Sequence, residues 1–218
     1  MSWSRHRRGA GRGTYHHGDL KEALIRAALA LIAEKGPAGF TFAEAARAAG
    51  VSAAAPYRHF RDRDDVIADV ARRGFERFER ELARAWNGGQ PDPLTAFQRL
   101  GKAYLAFARE EPAYYSAMFE TGIAPDADPA LAQASERAFA ILREASQALS
   151  ALVPPDRRPP PLMVALHIWA LSHGIASLFG RGDAARRKLP MSAEDLLEAA
   201  LLVYLRGLGL HAQSAKAR

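Results

Sequence analysis

Tyr57, Arg58, His59 and Arg61 bring a phenol, two guanidiniums and an imidazole within five residues. All three kinds of side chain hydrogen-bond phosphate oxygens, so this stretch is equipped to hold the backbone of a polyanion. A second concentration is aromatic. Phe97, Tyr104 and Phe107 share a helical face, Tyr114, Tyr115, Met118 and Phe119 crowd the segment PAYYSAMFETG, and Trp169 and His173 follow four apart. An apolar wall with a few polar tips suits a small-molecule cavity, and the same spacing suits ordinary core packing; the residue types admit both. Bond-making chemistry has no comparable set. The chain lacks cysteine, G-x-S-x-G, P-loop and H-E-x-x-H, which removes disulfides, thiolate zinc and the commonest nucleophile motifs. His167 and His173 lie about 240° apart around a helix and cannot converge on one metal. His16 and His17 are adjacent and point apart, and Glu110-Glu111 reads as solvated charge beside a helix end. No catalytic residue, metal or cofactor is expected.

The elements that must present the first cluster lie in TFAEAARAAGVSAAAPYRHFRDR, Thr41 to Arg63. Thr41 with Glu44 forms a capping box, in which each side chain satisfies a free backbone donor. Phe42, Ala45, Ala46 and Ala49 recur at helical spacing, and Gly50 follows where a left-handed residue ends a helix. Val51 can fill the gap between helices, and Ser52 is a suitable N-cap for a second helix reaching Phe60. Two helices around a short glycine-containing turn make a helix-turn-helix, whose second helix can enter the major groove of DNA. Pro56 departs from that pattern: its missing N–H forfeits a bond to the Ser52 carbonyl, and it biases Ala55 away from helical angles.

The chain resembles the tetracycline-repressor (TetR) family of bacterial transcription regulators. The resemblance rests on Phe40, Thr41, the AGVS of Ala49–Ser52, the YRHF of Tyr57–Phe60 and a basic Arg63 at the next helix start. It implies an all-α fold: a three-helix helix-turn-helix head plus a larger helical body for ligand binding and dimerisation. By carry-over, Tyr57, His59 and Arg63 would grip the DNA backbone. Thr41 and Ser52 would offer phosphate the N-termini of their helices. Arg47, Ala53, Ala54 and Arg58 are the candidates for base edges, the alanine methyls against thymine methyls. Ala45 and Ala49 are smaller than the branched residues common at these places, which bears on the docking angle. The Trp169-x-x-x-His173-Gly174 pattern also resembles the C-terminal half of a subgroup named for its Trp-His-Gly signature.

Charge agrees with the location of the motif. Of a net +6 over 218 residues, residues 1–78 hold 14 Lys and Arg against nine Asp and Glu. Such an excess fits a nucleic acid, although a basic face alone also fits anionic membrane. Residues 1–18 form a basic arm with Arg5, Arg7, Arg8 and Arg12, without the apolar run of a secretory signal. The arm adds phosphate or minor-groove contacts, or is a plain solvated tail. Residues 19–78 are expected to be the DNA-binding domain, with its motif at 41–60. It opens with a helix from Asp19 to Lys35 and closes into a linking helix capped by Asp62 and broken at Asn87-Gly88-Gly89. A cytoplasmic, nucleoid-associated location follows.

Residues 79–218 read as four or five more helices. Asp92-Pro93 and Asp128-Pro129 open two of them, with Leu131, Phe139, Leu142, Leu149 and Leu152 inside the second. Pro154 to Pro161 is a stiff connector. Leu162–Phe179 is the most apolar run, marginal in length for a membrane span and carrying His167, Ser172, His173 and Gly174. A bundle helix is expected there. After the charged loop from Gly180 to Pro190, Ser192 with Asp195 caps a last helix, where Leu197, Leu201, Tyr204 and Leu208 line one side, widened by Leu196, Ala200 and Val203. Two long apolar helices expose more surface than one body hides, so a two-fold homodimer through them is expected. The implied function is a repressor of a palindromic operator in double-stranded DNA, released by a small, largely apolar effector. The rival reading is a basic helical protein that binds a membrane surface or RNA.

Overall fold

The computed structural model describes residues 17–124, 126, 128–180 and 189–210. The arginines of the basic arm and most of the Gly180–Pro190 loop lie outside the described residues. Among those described there are only helices, turns and connectors, as the all-α reading requires.

The head begins with α1 (His17–Lys35), which starts two residues before Asp19 rather than at it. Acidic residues suit both the cap and the first turn of a helix, so the residue type alone does not fix the boundary. Leu24, Ile25, Ala28 and Ile32 bury its inner face. α2 (Phe42–Ala48) carries the expected box: the Glu44 N–H donates to Thr41 Oγ1 at 3.2 Å, and the Thr41 N–H donates to Glu44 Oε2 at 2.8 Å. That backbone donor, with Lys35 and the Thr41 hydroxyl, holds the Glu44 carboxyl down to about 2. Gly50 at φ +72° closes α2, with Val51 N–H bonded to Ala46 O and Gly50 N–H to Arg47 O. These two bonds make a Schellman end.

The second helix of the motif is a correction. Residues 52–60 form turns and a single 3-10 turn, Pro56–Arg58, not an α-helix from Ser52 to Phe60. Pro56 has no N–H to give Ser52, so the Ser52 carbonyl takes the Ala55 N–H at 3.0 Å instead, a bond one residue shorter. Ala55 nevertheless keeps helical angles, φ −64° and ψ −39°, against the expectation for a residue before proline.

α3 (Arg63–Trp86) is the axis of the molecule, capped by Asp62 and ended by left-handed Asn87. It packs against α1, then against α4 (Pro93–Glu110), α5 (Pro112–Phe119) and α6 (Pro129–Ala151). Its inward Val66, Ile67, Val70, Phe75, Phe78 and Leu82 belong to one connected core that runs from head to body. Asp92 and Asp128 cap α4 and α6 through the N–H groups of Thr95 and Leu131. Leu152 lies just past the end of α6 and is exposed, unlike Leu142 and Leu149. In the proline connector, the Arg158 guanidinium donates to the carbonyl of Ala151, a free acceptor at the end of α6, and to that of Val153 just beyond it.

α7 (Pro161–Gly180) is buried on one side only: Val164, Ile168 and Ile175 face in, while Leu162, Met163 and Leu166 are exposed. It is the one described helix long and apolar enough to cross a membrane. α8 (Ala193–Gly207) opens with the Ser192–Asp195 capping box. Its inner line is Leu197, Leu201 and Leu205, rather than one ending at Tyr204 and Leu208. The reason is Gly101 of α4, where an added Cβ would stand 3.1 Å from Leu197 and 3.3 Å from Leu201. A line at every fourth residue therefore seats on α4, and Val203 turns outward, 72% exposed.

Candidate functional site: an exposed turn on the head and a cavity in the body

On the head, Thr41, Arg47, Ser52, Ala53, Ala54, Tyr57 and Arg58 are all exposed. Pro56 and Phe60 point inward and anchor the turn, so the intervening residues project outward. Tyr57 is 65% exposed and braced edge-on against Phe42, with ring centroids 5.0 Å apart. The remaining candidates stand differently. His59 and Arg63 are half-buried; the Arg63 guanidinium lies 5.7 Å from the Phe40 ring and 3.3 Å from Asp64. Arg61 is bound to the Asp65 carboxylate through its Nε at 2.7 Å and its backbone N–H at 2.9 Å. That guanidinium holds the Asp65 carboxyl below its ordinary value, so much of the Arg61 charge is already answered. At the start of α2 the Glu44 carboxylate occupies the place a phosphate would take, and there is no α-helix N-terminus at Ser52.

A cluster absent from the sequence reading joins this head to the axis. Asp69 on α3, 9% exposed, meets Lys21 of α1 at 3.0 Å, Arg73 at 3.7 Å, and Arg72. Arg73 also forms a two-pronged bond to Glu22 of α1, at 2.7 and 2.6 Å. Burial pushes the Asp69 carboxyl up, but hydrogen bonds from Arg72 and Lys21 outweigh it and hold it below the usual range. These charges are far apart in sequence, so only the packing of α1 on α3 reveals the group.

The body holds a cavity of about 310 Å³, open on one side, between α3, α4, α5, α6 and α7. Five of the nine aromatic-set residues line it: Phe97, Tyr104, Met118, Phe119 and Trp169. The other four do not line it. Tyr115 and His173 stand behind Tyr104: the Tyr115 hydroxyl lies 2.8 Å from His173 Nδ1, and the Tyr104 hydroxyl 3.1 Å from the same atom. Phe107 packs on Phe78, and Tyr114 faces Gly74 of α3. His173 thus hydrogen-bonds within the bundle. Sequence reasoning missed the walls supplied by Phe75, Phe78 and Leu82 of α3 and by Phe139 and Leu142 of α6. They were legible only as inward-facing residues, since helical period does not tell a cavity wall from a packed core.

The polar group behind Tyr104 is neutral at neutral pH. Burial raises Tyr104 well above its ordinary value and pushes Tyr115 up to about 12. Burial likewise lowers His173, partly countered by Glu120. Two phenols and an unprotonated imidazole can therefore share donors and one acceptor without a charge among them.

Comparison with known proteins places both halves. Residues 24–70 match the family model of bacterial regulatory proteins, tetR family, and residues 97–204 match the tetracyclin repressor-like C-terminal domain. A solved protein of unknown function from Rhodococcus sp. RHA1 is 29% identical, over 90% of this chain and 98% of its own, with a TM-score of 0.74. The TetR family transcriptional regulator PfmR from Thermus thermophilus is 19% identical, over 84% and 97%, with a TM-score of 0.64. A bacterial regulatory protein in the tetR family from Rhodococcus RHA1 is 16% identical, over 88% and 98%, with a TM-score of 0.67. At these last two identities the likeness is one of fold. No curated protein matches the sequence.

Proposed function

The chain belongs to the TetR family of bacterial DNA-binding regulators, and from that premise we propose that it is a homodimeric, cytoplasmic repressor released from a palindromic operator by a small apolar ligand. The observation that carries the DNA part is the exposed turn Ser52–Arg58, held outward by buried Pro56 and Phe60. Tyr57 would grip phosphates, and Arg47, Ala53, Ala54 and Arg58 would meet base edges. Ser52 would supplement the grip through its hydroxyl, with His59 and Arg63 supporting it from behind. The Trp-His-Gly subgroup remains part of the proposal, resting on Trp169, His173 and Gly174.

Release would act through α3. One end of this helix lines the cavity with Phe75, Phe78 and Leu82, and the other is bound to α1 by the Asp69 and Arg73 cluster. A ligand that favours one setting of α3 therefore biases the head, and only such a difference in affinity can switch it. Dimerisation would use the outward faces of α7 and α8, where Leu162, Met163, Leu166, Leu202 and Val203 are exposed. Two heads about 34–36 Å apart then read successive major-groove faces.

Fluorescence anisotropy on duplexes from the region flanking its own gene, with Tyr57→Ala alongside, tests the DNA part. The expected result is selective binding that Tyr57→Ala weakens by roughly 1.5–3 kcal/mol, the worth of a hydrogen bond to a charged group, with dimer mass and helix content unchanged. Equal affinity for every duplex, for RNA or for anionic vesicles, unaffected by Tyr57→Ala, would replace the reading with a general polyanion binder.

A further inference from the structure

We propose that the body cavity selects an uncharged lipophile, carrying one hydrogen-bonding group at most, and rejects anions and cations of the same shape. The inference rests on the cavity being the effector site proposed above, and adds the chemical class of the effector.

Of the described side chains lining the cavity, Glu136 alone carries a charge. That carboxylate is exposed at the rim and bound to Arg143 at 2.6 Å, whose guanidinium in turn lies 5.6 Å from the Phe139 ring. An incoming cation would have to displace Arg143, and an incoming anion would meet an arginine already paired. Deeper in, the walls are Phe75, Phe78, Phe97, Leu100, Met118 and Leu142, which offer an anion nothing and a cation only ring faces, with no carboxylate to pair it. Two of the polar groups are spoken for as well. Ser135 Oγ donates to Ala132 O at 2.9 Å within its own helix, and the Tyr104 hydroxyl is committed to His173. Burial keeps Tyr104, Tyr115 and His173 neutral, so this end supplies no counter-ion either. An ion without a counter-charge in such a place loses more in hydration than a ring face returns to a cation. A neutral hydroxyl or carbonyl gives up far less, and the lining Tyr104, Trp169 and Ser172 carry the neutral polar groups that could exchange a bond with it.

The test is calorimetric titration of the 218-residue protein at neutral pH with three nearly isosteric probes: para-butylbenzyl alcohol, para-butylbenzoate and para-butylbenzylammonium. Each is repeated with Ala138→Phe and Leu142→Trp, which fill the cavity from α6, after native helix content has been verified. The expected result is binding of the alcohol at least about tenfold tighter than either ion, lost in whichever blocking variant is folded. Comparable or tighter binding of the benzoate or the ammonium, lost in the blocked variants, would overturn the uncharged class while leaving the cavity as the effector site. Alcohol binding that survives both variants, or no binding of any probe, would overturn the inference together with the cavity as an effector site of this kind.

Discussion

His173 shows how much a single residue can reveal beyond its type. Its Nδ1 faces two tyrosine hydroxyls from α4 and α5, and burial lowers its affinity for a proton, partly countered by Glu120. The consequence for stability has a definite sign. Below the ordinary value of 6.5 the unfolded chain binds a proton that the folded site resists, so folding weakens as pH falls from there. Thermal melting from pH 7 to about 5.5 should show the wild type losing more than His173→Phe, a difference that isolates this group. Equal losses would remove His173 from the account. Residue type told less at Ser52. Its N-cap chemistry was plain, but Pro56 four positions later removes the donor that would have made the helix worth capping. The other caps, Thr41, Asp62, Asp92, Asp128 and Ser192, were legible because nothing downstream contradicts them.

α3 is the element on which head and body both depend. Its capping aspartate, its apolar face and its end at Asn87 can be read directly from residue types. Its role as cavity wall and as anchor of α1 cannot, because Glu22 and Arg73 are 51 residues apart and Phe78 meets Tyr104 only after folding. Asp69 is the centre of the anchor. Asp69→Asn keeps the shape and removes the charge that answers Lys21, Arg72 and Arg73. Chemical denaturation should show a loss of about 2–3 kcal/mol, below the largest values for buried pairs because Lys21 is partly solvated. Urea melts that coincide with the wild type would mean that apolar packing alone docks the head.

The whole molecule leaves an apolar face on α7 and α8 that no described part of the chain covers, and the proposed homodimer is what would cover it. Val203 stands furthest out on that face. Val203→Asp would bury a charge against its own copy, and sedimentation should find a folded monomer at micromolar concentration. Operator affinity should then fall by at least about tenfold, since the second head no longer binds from a tethered position. A dimer that survives would place the interface elsewhere. The central claim, that this is a sequence-specific regulator of paired half-sites, is met most directly by selecting bound duplexes from a random library at near-physiological salt, with dimer mass recorded alongside. The account predicts a palindrome whose half-sites lie about one helical turn, or roughly 34–36 Å, apart. Recovery of no motif, with binding that fades equally for all duplexes as salt rises, would contradict it and leave a protein that recognises only charge.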